Sequence, residues 1–215
     1  MIRALTLGLA LFLFVPAARA EDSATIPEGF TPLFNGKDLK GWKVHGGKLG
    51  SWSADNGLLF VSGGGGGWLM TEKQYGDFEL RLEFKVPRGG NSGVALRSPM
   101  EGDPAYTGME IQILDDPSYK GLQVWQHTGS IYGVVPAKKI ATKAVGQWND
   151  YRIVCKGRKV TIELNGERIV DANLDDHTEK HAKAHPGILR AKGHIGLQEH
   201  GGKVEFRNVW IKELN

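Results

Sequence analysis

Polar side chains that could do chemistry recur at every second position in three segments of the chain. In residues 109–113, Glu110 and Gln112 alternate with two isoleucines, as expected for a strand with one polar and one apolar face. Residues 93–97 and 194–200 alternate in the same way. If these strands share a sheet, their small residues leave a hollow, and its polar groups are those of Arg97, Glu110, Gln112, Gln198 and His200. An ordinary solvated face is the alternative, but it would favour Lys, Thr and Glu over Gly and Ala.

The first twenty residues have the features of a secretory leader. Arg3 supplies a positive charge, residues 4–15 form an apolar core, and an Ala-Arg-Ala site ends at Ala20. The apolar run is shorter than the roughly 20 residues of a membrane-spanning helix, and no later stretch qualifies. We therefore expect residues 1–20 to be a signal peptide and residues 21–29 a flexible lead. The mature protein is expected to be periplasmic or secreted, with no membrane insertion.

Charge and cysteine content exclude several classes of function. The leader contains two of the 27 basic residues and none of the 24 acidic ones, so the mature chain carries a net charge of about +1. Nucleic-acid binding needs clustered positive charge, and we expect none here. Cys155, the single cysteine, falls in a predicted strand, where it is interpreted as a buried core residue and not as a nucleophile.

The rest of the chain is predicted to be a succession of short strands. Residues 78–86 alternate apolar and charged side chains without a break, and Asn56-Gly57 and Asn165-Gly166 are hairpin signals. About ten to twelve strands, almost no helix and no internal repeat predict one all-β domain over residues 30–215. The expected architecture is an antiparallel β-sandwich of the jelly-roll type, with the polar hollow on a concave outer face.

Loops add further candidates. Five consecutive glycines, residues 63–67, precede Trp68, and we expect them to form a mobile loop at the rim of a site. A long polar excursion after Asp115 carries His127 and Tyr132, and long loops of this kind are more often functional than idle.

A series of short motifs occurs in the order found in one known family. The motifs are Leu33-Phe34-Asn35-Gly36-Lys37-Asp38-Leu39-x-Gly41-Trp42, Tyr75-Gly76-Asp77-Phe78, Asn91-Ser92-Gly93-Val94-x-x-Arg97, Glu110-Ile111-Gln112-x-x-Asp115, Thr128-Gly129-Ser130-Ile131-Tyr132, Trp148-Asn149, Leu164-Asn165-Gly166, Gly196-Leu197-Gln198-x-His200-Gly201 and Phe206-Arg207-Asn208-Val209. The series covers residues 30–214 and resembles the 3-keto-disaccharide hydrolase family. That resemblance implies a concanavalin A-like, lectin-glucanase jelly roll and an exported bacterial enzyme.

The resemblance also implies a chemistry, namely cleavage of glycosides that already carry a ketone at C3. The ketone acidifies the C2 proton, so a base can remove it, an electrophile can hold the enolate, and the C1 substituent can leave by β-elimination before water adds. His200 or Glu110 would be the base and the other the acid, and histidine is favoured as the base because the unperturbed imidazole titrates near working pH. Arg97 would hold the enolate oxygen, unless it only pairs with Glu110 across the sheet.

The remaining site residues are expected to bind substrate. Gln112 and Gln198 would orient sugar hydroxyls. Asp115, Tyr132, Trp68 and His127 complete the set, although Asp115 also fits a turn cap, and Tyr132 and Trp68 also fit core positions. The expected ligand is a 3-keto-sugar glycoside, and a sugar oxidoreductase would have to make its ketone.

Metal dependence is left open by the sequence. A divalent ion held by Glu110 and His200 would polarise the ketone, but nothing in the sequence demands one. His177, His181 and His185 recur every four residues, yet Pro186 follows and no zinc motif accompanies them, so no metal site is expected there.

Two other functions fit a jelly roll. A laminarinase-like glycoside hydrolase needs paired carboxylates along one strand, and Gln112 stands where the second acid is required. A non-catalytic carbohydrate-binding module would instead expose Trp68, Trp125 and Tyr132 as a platform and would not need the Arg97, Glu110 and His200 set.

Overall fold

The computed structural model describes residues 24–61 and 64–214, so the predicted leader, residues 1–20, lies outside the described part. The strands are β1 Thr31–Pro32, β2 Trp42–His45, β3 Trp52–Asp55, β4 Leu58–Val61, β5 Gly67–Thr71, β6 Phe78–Lys85, β7 Asn91–Ser98, β8 Met109–Leu114, β9 Trp148–Lys156, β10 Lys159–Leu164, β11 Glu167–Asn173, β12 His194–Glu199 and β13 Glu205–Glu213. Two short α-helices, α1 Pro104–Thr107 and α2 Asp175–His181, and 3₁₀ turns at Leu49–Ser51, Asp116–Ser118, Val124–Gln126 and Pro186–Leu189 complete the described elements.

The strands form two antiparallel sheets. The larger sheet has the order β11-β10-β9-β6-β13-β4-β3, with β1 paired to β13, and the smaller one has the order β2-β5-β12-β7-β8. Hairpins at Asn56-Gly57 and Asn165-Gly166 connect β3 to β4 and β10 to β11, and both asparagines have positive φ, as such tight turns require. The predicted all-β sandwich of the jelly-roll type is confirmed.

The core lies between the sheets and follows the alternation of the strands. Val94, Leu96, Ile111, Ile113 and Leu197 of the smaller sheet are fully buried in the main hydrophobic cluster, together with the apolar face of β6. Their neighbours along each strand therefore point to the outer face of the smaller sheet. Burying one such aliphatic side chain contributes about 1.5–3 kcal/mol, so a slip of one residue in register would be strongly unfavourable.

Strand β8 would be an exposed edge if the following loop did not cover it. The Gln112 N–H donates to the Ser130 carbonyl at 3.1 Å, and the Tyr132 N–H donates to the Glu110 carbonyl at 2.8 Å. All six residues of β8 are consequently buried, including the two polar ones.

The segment before Pro186 forms a short helix. Helix α2 has seven residues, with Asp175 and Asp176 in its first turn and Lys180 and His181 in its last, which suits the helix dipole. None of the helices within residues 24–61 and 64–214 is long and apolar enough to cross a membrane.

Candidate active site

The floor of the candidate site is built from two rows of residues on the outer face of the smaller sheet. Strand pairing places Trp68 beside Gln198 in one row. In the same row, Gly93 lies beside Gln112. In the second row Gly196 pairs with both Met70 and Ala95, and Ala95 pairs with Glu110. The three alternating segments therefore do share a sheet, and Glu110, Gln112 and Gln198 meet on one face.

Glycines make the space that these polar groups occupy. A Cβ atom at Gly93 would lie 2.1 Å from Oε1 of Glu110, and one at Gly196 would lie 2.3 Å from Sδ of Met70. Neither position accepts a side chain without displacing its neighbour. The Glu110 carboxyl therefore occupies a notch that exists because residue 93 has no side chain.

A small polar cavity of about 110 Å³ opens above this floor. Its walls are Asn91, Asp103, Ala105, Tyr106, Glu110, Gln112, Tyr132, Gln198 and His200. Strands β7, β8 and β12 supply the floor, while α1 and the loop after β8 supply the two tyrosines. The cavity thus brings Glu110, Gln112, Gln198, His200 and Tyr132 together, as the alternation and the family resemblance predicted.

A wider cavity of about 790 Å³ continues from the small one. It is lined by Gly46, Lys48, Gly64, Gly65, Gly66, Gly67, Trp68, Gly102, Asp103, Gln198, Glu199, His200 and Gly201. The backbone of Gly66 in this wall packs directly against Gly47, since a Cβ at Gly47 would lie 2.0 Å from the Gly66 carbonyl oxygen. Oε2 of Glu199 accepts a hydrogen bond from the Gly65 N–H at 3.0 Å and ties the glycine segment to β12. The described glycines therefore do lie at the rim of the site.

Glu110 is the electrostatically unusual group of the site. Only 4% of the residue is exposed. Burial and, as the smaller cause, the negative charge of Asp103 together raise the pKa of its carboxyl from 4.5 to about 8. At neutral pH the carboxyl therefore holds its proton and acts as a hydrogen-bond donor or an acid.

His200 lies at the mouth of the small cavity. The Asn91 side-chain amide contacts Nδ1 of His200 at 3.0 Å. An amide can present either an N–H or its oxygen to this ring nitrogen. With the oxygen there, Asn91 accepts from the Nδ1–H, the ring is oriented, and Nε2 carries the lone pair. His200 is itself solvent-facing, which suits a group that exchanges protons with substrate.

The amide side chains leave specific hydrogen-bonding capacity toward the cavity. Oε1 of Gln112 accepts from the Ile113 N–H at 3.0 Å, so its amide N–H groups remain to donate to a ligand. Oε1 of Gln198 is buried without a partner among the described residues. Buried acceptors of this kind are costly unless a ligand donates to them, and sugar hydroxyls are suitable donors.

The tyrosines are held by a histidine outside the cavity. The Tyr106 ring stacks on His185 with centroids 5.1 Å apart, and Tyr132 meets both rings edge-on at 6.4 and 6.5 Å. Burial lowers the pKa of His185, which favours the neutral ring in this aromatic contact. His185 therefore supports the tyrosine wall.

Arg97 does not reach the site, so placing it with Glu110 was wrong. Its side chain is fully buried. It donates to the carbonyls of Gly76 and Gly157 at 2.9 and 2.8 Å and pairs with Asp77 at 3.0 Å. The cause is an irregularity in pairing between β7 and β12 that falls next to Arg97, whose φ is +50°. The extra residue turns the guanidinium away from the outer face.

Asp115 and His127 also lie elsewhere, as parts of the loop framework. The Asp115 carboxylate accepts from the Gly89 N–H at 2.7 Å and from the Ser118 hydroxyl, which makes it a turn cap. Nδ1 of His127 contacts Asp116 at 2.8 Å, and the same carboxylate oxygen accepts from the Thr128 N–H at 3.1 Å. Neither residue lines the small or the wide cavity.

Trp68 is nearly buried but forms part of the wall of the wide cavity, so the core and site interpretations both hold for it.

Over residues 24–61 and 64–214, no group of three or more His, Cys, Asp or Glu side chains is arranged to hold a metal ion. The ring centroids of His177 and His181 on α2 are 6.2 Å apart, whereas His185 lies beyond the helix and stacks on Tyr106.

Sequence reasoning missed Asp103, Tyr106 and Asn91. Asp103 and Tyr106 belong to the connection between β7 and β8, and Asp103 caps α1 by accepting from the Ala105 N–H at 3.0 Å. The signal was present, since Asp followed by Pro is a typical helix start. Asn91 begins β7 and was quoted only as part of a motif.

The chain is similar to known carbohydrate-related proteins. A 3-keto-disaccharide hydrolase of Bacteroides thetaiotaomicron is 26% identical, and the alignment covers 90% of this chain and 82% of the relative. A solved structure of a candidate glycosyl hydrolase from Parabacteroides distasonis superposes with a TM-score of 0.76 at 31% identity, covering 87% of this chain and 95% of that one. The carbohydrate-binding module CBM66 of Bacillus subtilis shares the fold, with a TM-score of 0.54 at 14% identity over 83% of this chain and 98% of that one.

These relatives support a carbohydrate-acting hydrolase. The sequence profile of the 3-keto-alpha-glucoside-1,2-lyase-like domain matches residues 29–212, nearly the whole of the part that carries the fold and both cavities. The chain belongs to the 3-keto-alpha-glucoside-1,2-lyase-like family.

Proposed function

We propose that this protein cleaves 3-keto-glycosides by removing the C2 proton and expelling the C1 substituent. The observation that carries the proposal is the small cavity, where a carboxyl that holds its proton lies with an imidazole and with the unpaired amide oxygen of Gln198. Elimination from a 3-keto sugar needs a base and a donor for the enolate oxygen, and this cavity offers both.

His200 is the base in this proposal. Its ring lies at the cavity mouth and is oriented by Asn91, and imidazole is the side chain most often used as a base near neutral pH. The C2 proton passes to Nε2, the enolate forms across C2 and C3, and its collapse forms the C1–C2 double bond as the C1–O bond breaks. The protonated imidazole then donates to the departing oxygen.

Glu110 takes the role that the sequence had assigned to Arg97. A neutral carboxylic acid donates a strong hydrogen bond to an enolate oxygen, and burial keeps Glu110 in that form. The free N–H groups of Gln112 supply a second donor from the adjacent position of β8. The ketone therefore lies over β8, and a sugar hydroxyl reaches the unpaired oxygen of Gln198.

The test compares a 4-nitrophenyl glucoside with its 3-keto derivative, using the mature protein with and without a chelator. Nitrophenol release from the keto sugar alone is expected. Release from only the unoxidised sugar would refute the proposal, and binding of both without turnover would identify a binding module. Glu110→Gln and His200→Ala should each reduce kcat about 100-fold or more, while Glu179→Gln on the exposed face of α2 serves as the matched control.

We also propose that the chain is exported and that a sugar oxidoreductase precedes it. The predicted leader supports export, and the substrate needs a ketone that this site cannot itself introduce. The mature protein isolated from the producing cell should begin at Glu21; a chain that retains residues 1–20 in the cytoplasm would contradict export.

A further inference from the structure

The small and the wide cavity share three lining residues, Asp103, Gln198 and His200. If the keto ring occupies the small cavity, as the proposed function requires, the departing group occupies the wide one. The bond that breaks then lies at the junction, next to these three residues. Two of them, Asp103 and His200, can exchange protons.

Asp103 is held in a defined orientation at this junction. One carboxylate oxygen accepts from the Ala105 N–H at 3.0 Å, which leaves the second oxygen for another partner. The preceding residue is also fixed, since Nε2 of His45 contacts the Gly102 carbonyl at 2.7 Å. Asp103 is solvent-exposed on the side of the wide cavity, which is the route by which water enters once the departing group has left.

The other carboxylates near the junction are committed elsewhere. Glu199 lines the wide cavity, but its carboxylate holds the Gly65 N–H. Glu110 lines only the small cavity and holds its proton at neutral pH. Asp103 is therefore the carboxylate placed to accept a proton from a water molecule at the junction.

We propose that Asp103 activates the water that adds to the unsaturated sugar, and that it thereby decides whether the reaction ends as hydrolysis or as elimination. This inference rests on the proposed function. The water O–H bond breaks and its proton passes to Asp103, while the oxygen bonds to C1. The C1–C2 π electrons form the enolate, Glu110 donates to its oxygen, and the protonated Asp103 returns the proton to C2. The product is the free 3-keto sugar, and every group regains its starting state.

The decisive variant is Asp103→Asn, because asparagine caps a helix as well as aspartate does and so preserves α1. With a 3-keto nitrophenyl glucoside, the unsaturated sugar should accumulate in place of the free 3-keto sugar, so the amount of free keto sugar formed per nitrophenol released should fall steeply. Supplied directly with the unsaturated sugar, the variant should hydrate it about 100-fold more slowly than wild type. Glu101→Gln removes an exposed charge two residues away and should leave both rates unchanged.

Each other outcome is decisive. Equal hydration rates for Asp103→Asn and wild type would overturn the inference, as would a wild type that yields only the unsaturated sugar. A folded Asp103→Asn protein that also loses nitrophenol release would place Asp103 in the elimination step instead. In all three cases the wild type still releases nitrophenol, so the proposed function stands; absence of release by wild type would refute that function separately.

Discussion

The substitution Glu110→Gln should make the protein more stable while it removes activity, and the gain should depend on pH. Glu110 has a pKa of about 8 in the folded protein against an ordinary value of 4.5. Between these values the unfolded chain has released the proton and the folded chain still holds it, so the folded state binds more protons. Stability of the wild type therefore falls as pH rises from about 4.5 to 8, and it falls no further above that.

The magnitude follows from the size of the shift. Each unit of pKa difference corresponds to about 1.4 kcal/mol. Wild type should lose about 3 kcal/mol by pH 7 and about 5 kcal/mol by pH 9 through this one group. Glutamine has nearly the same shape and no charge, so Glu110→Gln should exceed wild type by these amounts at pH 7 and 9 and match it at pH 4.

Urea unfolding at pH 4, 7 and 9 measures the difference directly, with the free energy of unfolding extrapolated for each protein. Glu179→Gln, which removes a solvent-facing carboxyl of α2, is the control and should show no trend of this kind. A difference between Glu110→Gln and wild type that is constant over the three pH values, or that grows toward low pH, would refute the assignment of Glu110 as a buried neutral acid.

Three further outcomes are expected. The kcat of wild type should fall as pH rises through about 8, where Glu110 loses its proton, and a profile flat to pH 10 would contradict its role as donor. Gly93→Ala should reduce kcat about 100-fold because the new Cβ would lie 2.1 Å from the Glu110 carboxyl. Gly50→Ala is the control, because the space around a Cβ at residue 50 is open, and it should leave kcat unchanged. Comparable kcat values for the two variants would show that the notch at Gly93 is unimportant. Arg97→Met should lower the free energy of unfolding, measured with urea, by about 3–5 kcal/mol, because it leaves the buried partners of Arg97 unpaired. The kcat of the folded variant in a 3-keto-glycoside assay should stay near that of wild type. A large loss of kcat without a loss of stability would instead place Arg97 in the site.

The sheet and most of the site floor could be predicted from the sequence because both depend on a period of two. Alternation along β8 and β12 correctly placed Glu110, Gln112 and Gln198 on one face. The same rule failed at Arg97, since a local irregularity in pairing adds a residue and reverses the side-chain direction. Nothing in the residues around Arg97 marks that irregularity, because it is set by pairing with a strand almost 100 positions later.

The burial of Glu110 was also beyond local reasoning. It results from the loop that pairs with β8 at Ser130 and Tyr132 and from α1, which carries Tyr106 over the cavity. Such contacts between distant segments set the local dielectric environment, and hence the pKa, without leaving a pattern in the strand itself. Sequence alone therefore identified the residue but not the protonation state that gives it a role.

The two cavities have separate structural origins, and this separation makes leaving-group preference independently adjustable. The small cavity is built mainly from paired strands, whereas much of the wall of the wide one consists of glycine segments near Gly47 and Gly66 that contribute backbone alone. Exchange of those segments between relatives would change which substituent is accepted at C1 without altering the proton-transfer groups. A protein engineer could therefore change the walls of the wide cavity while keeping the reaction centre in the small cavity fixed.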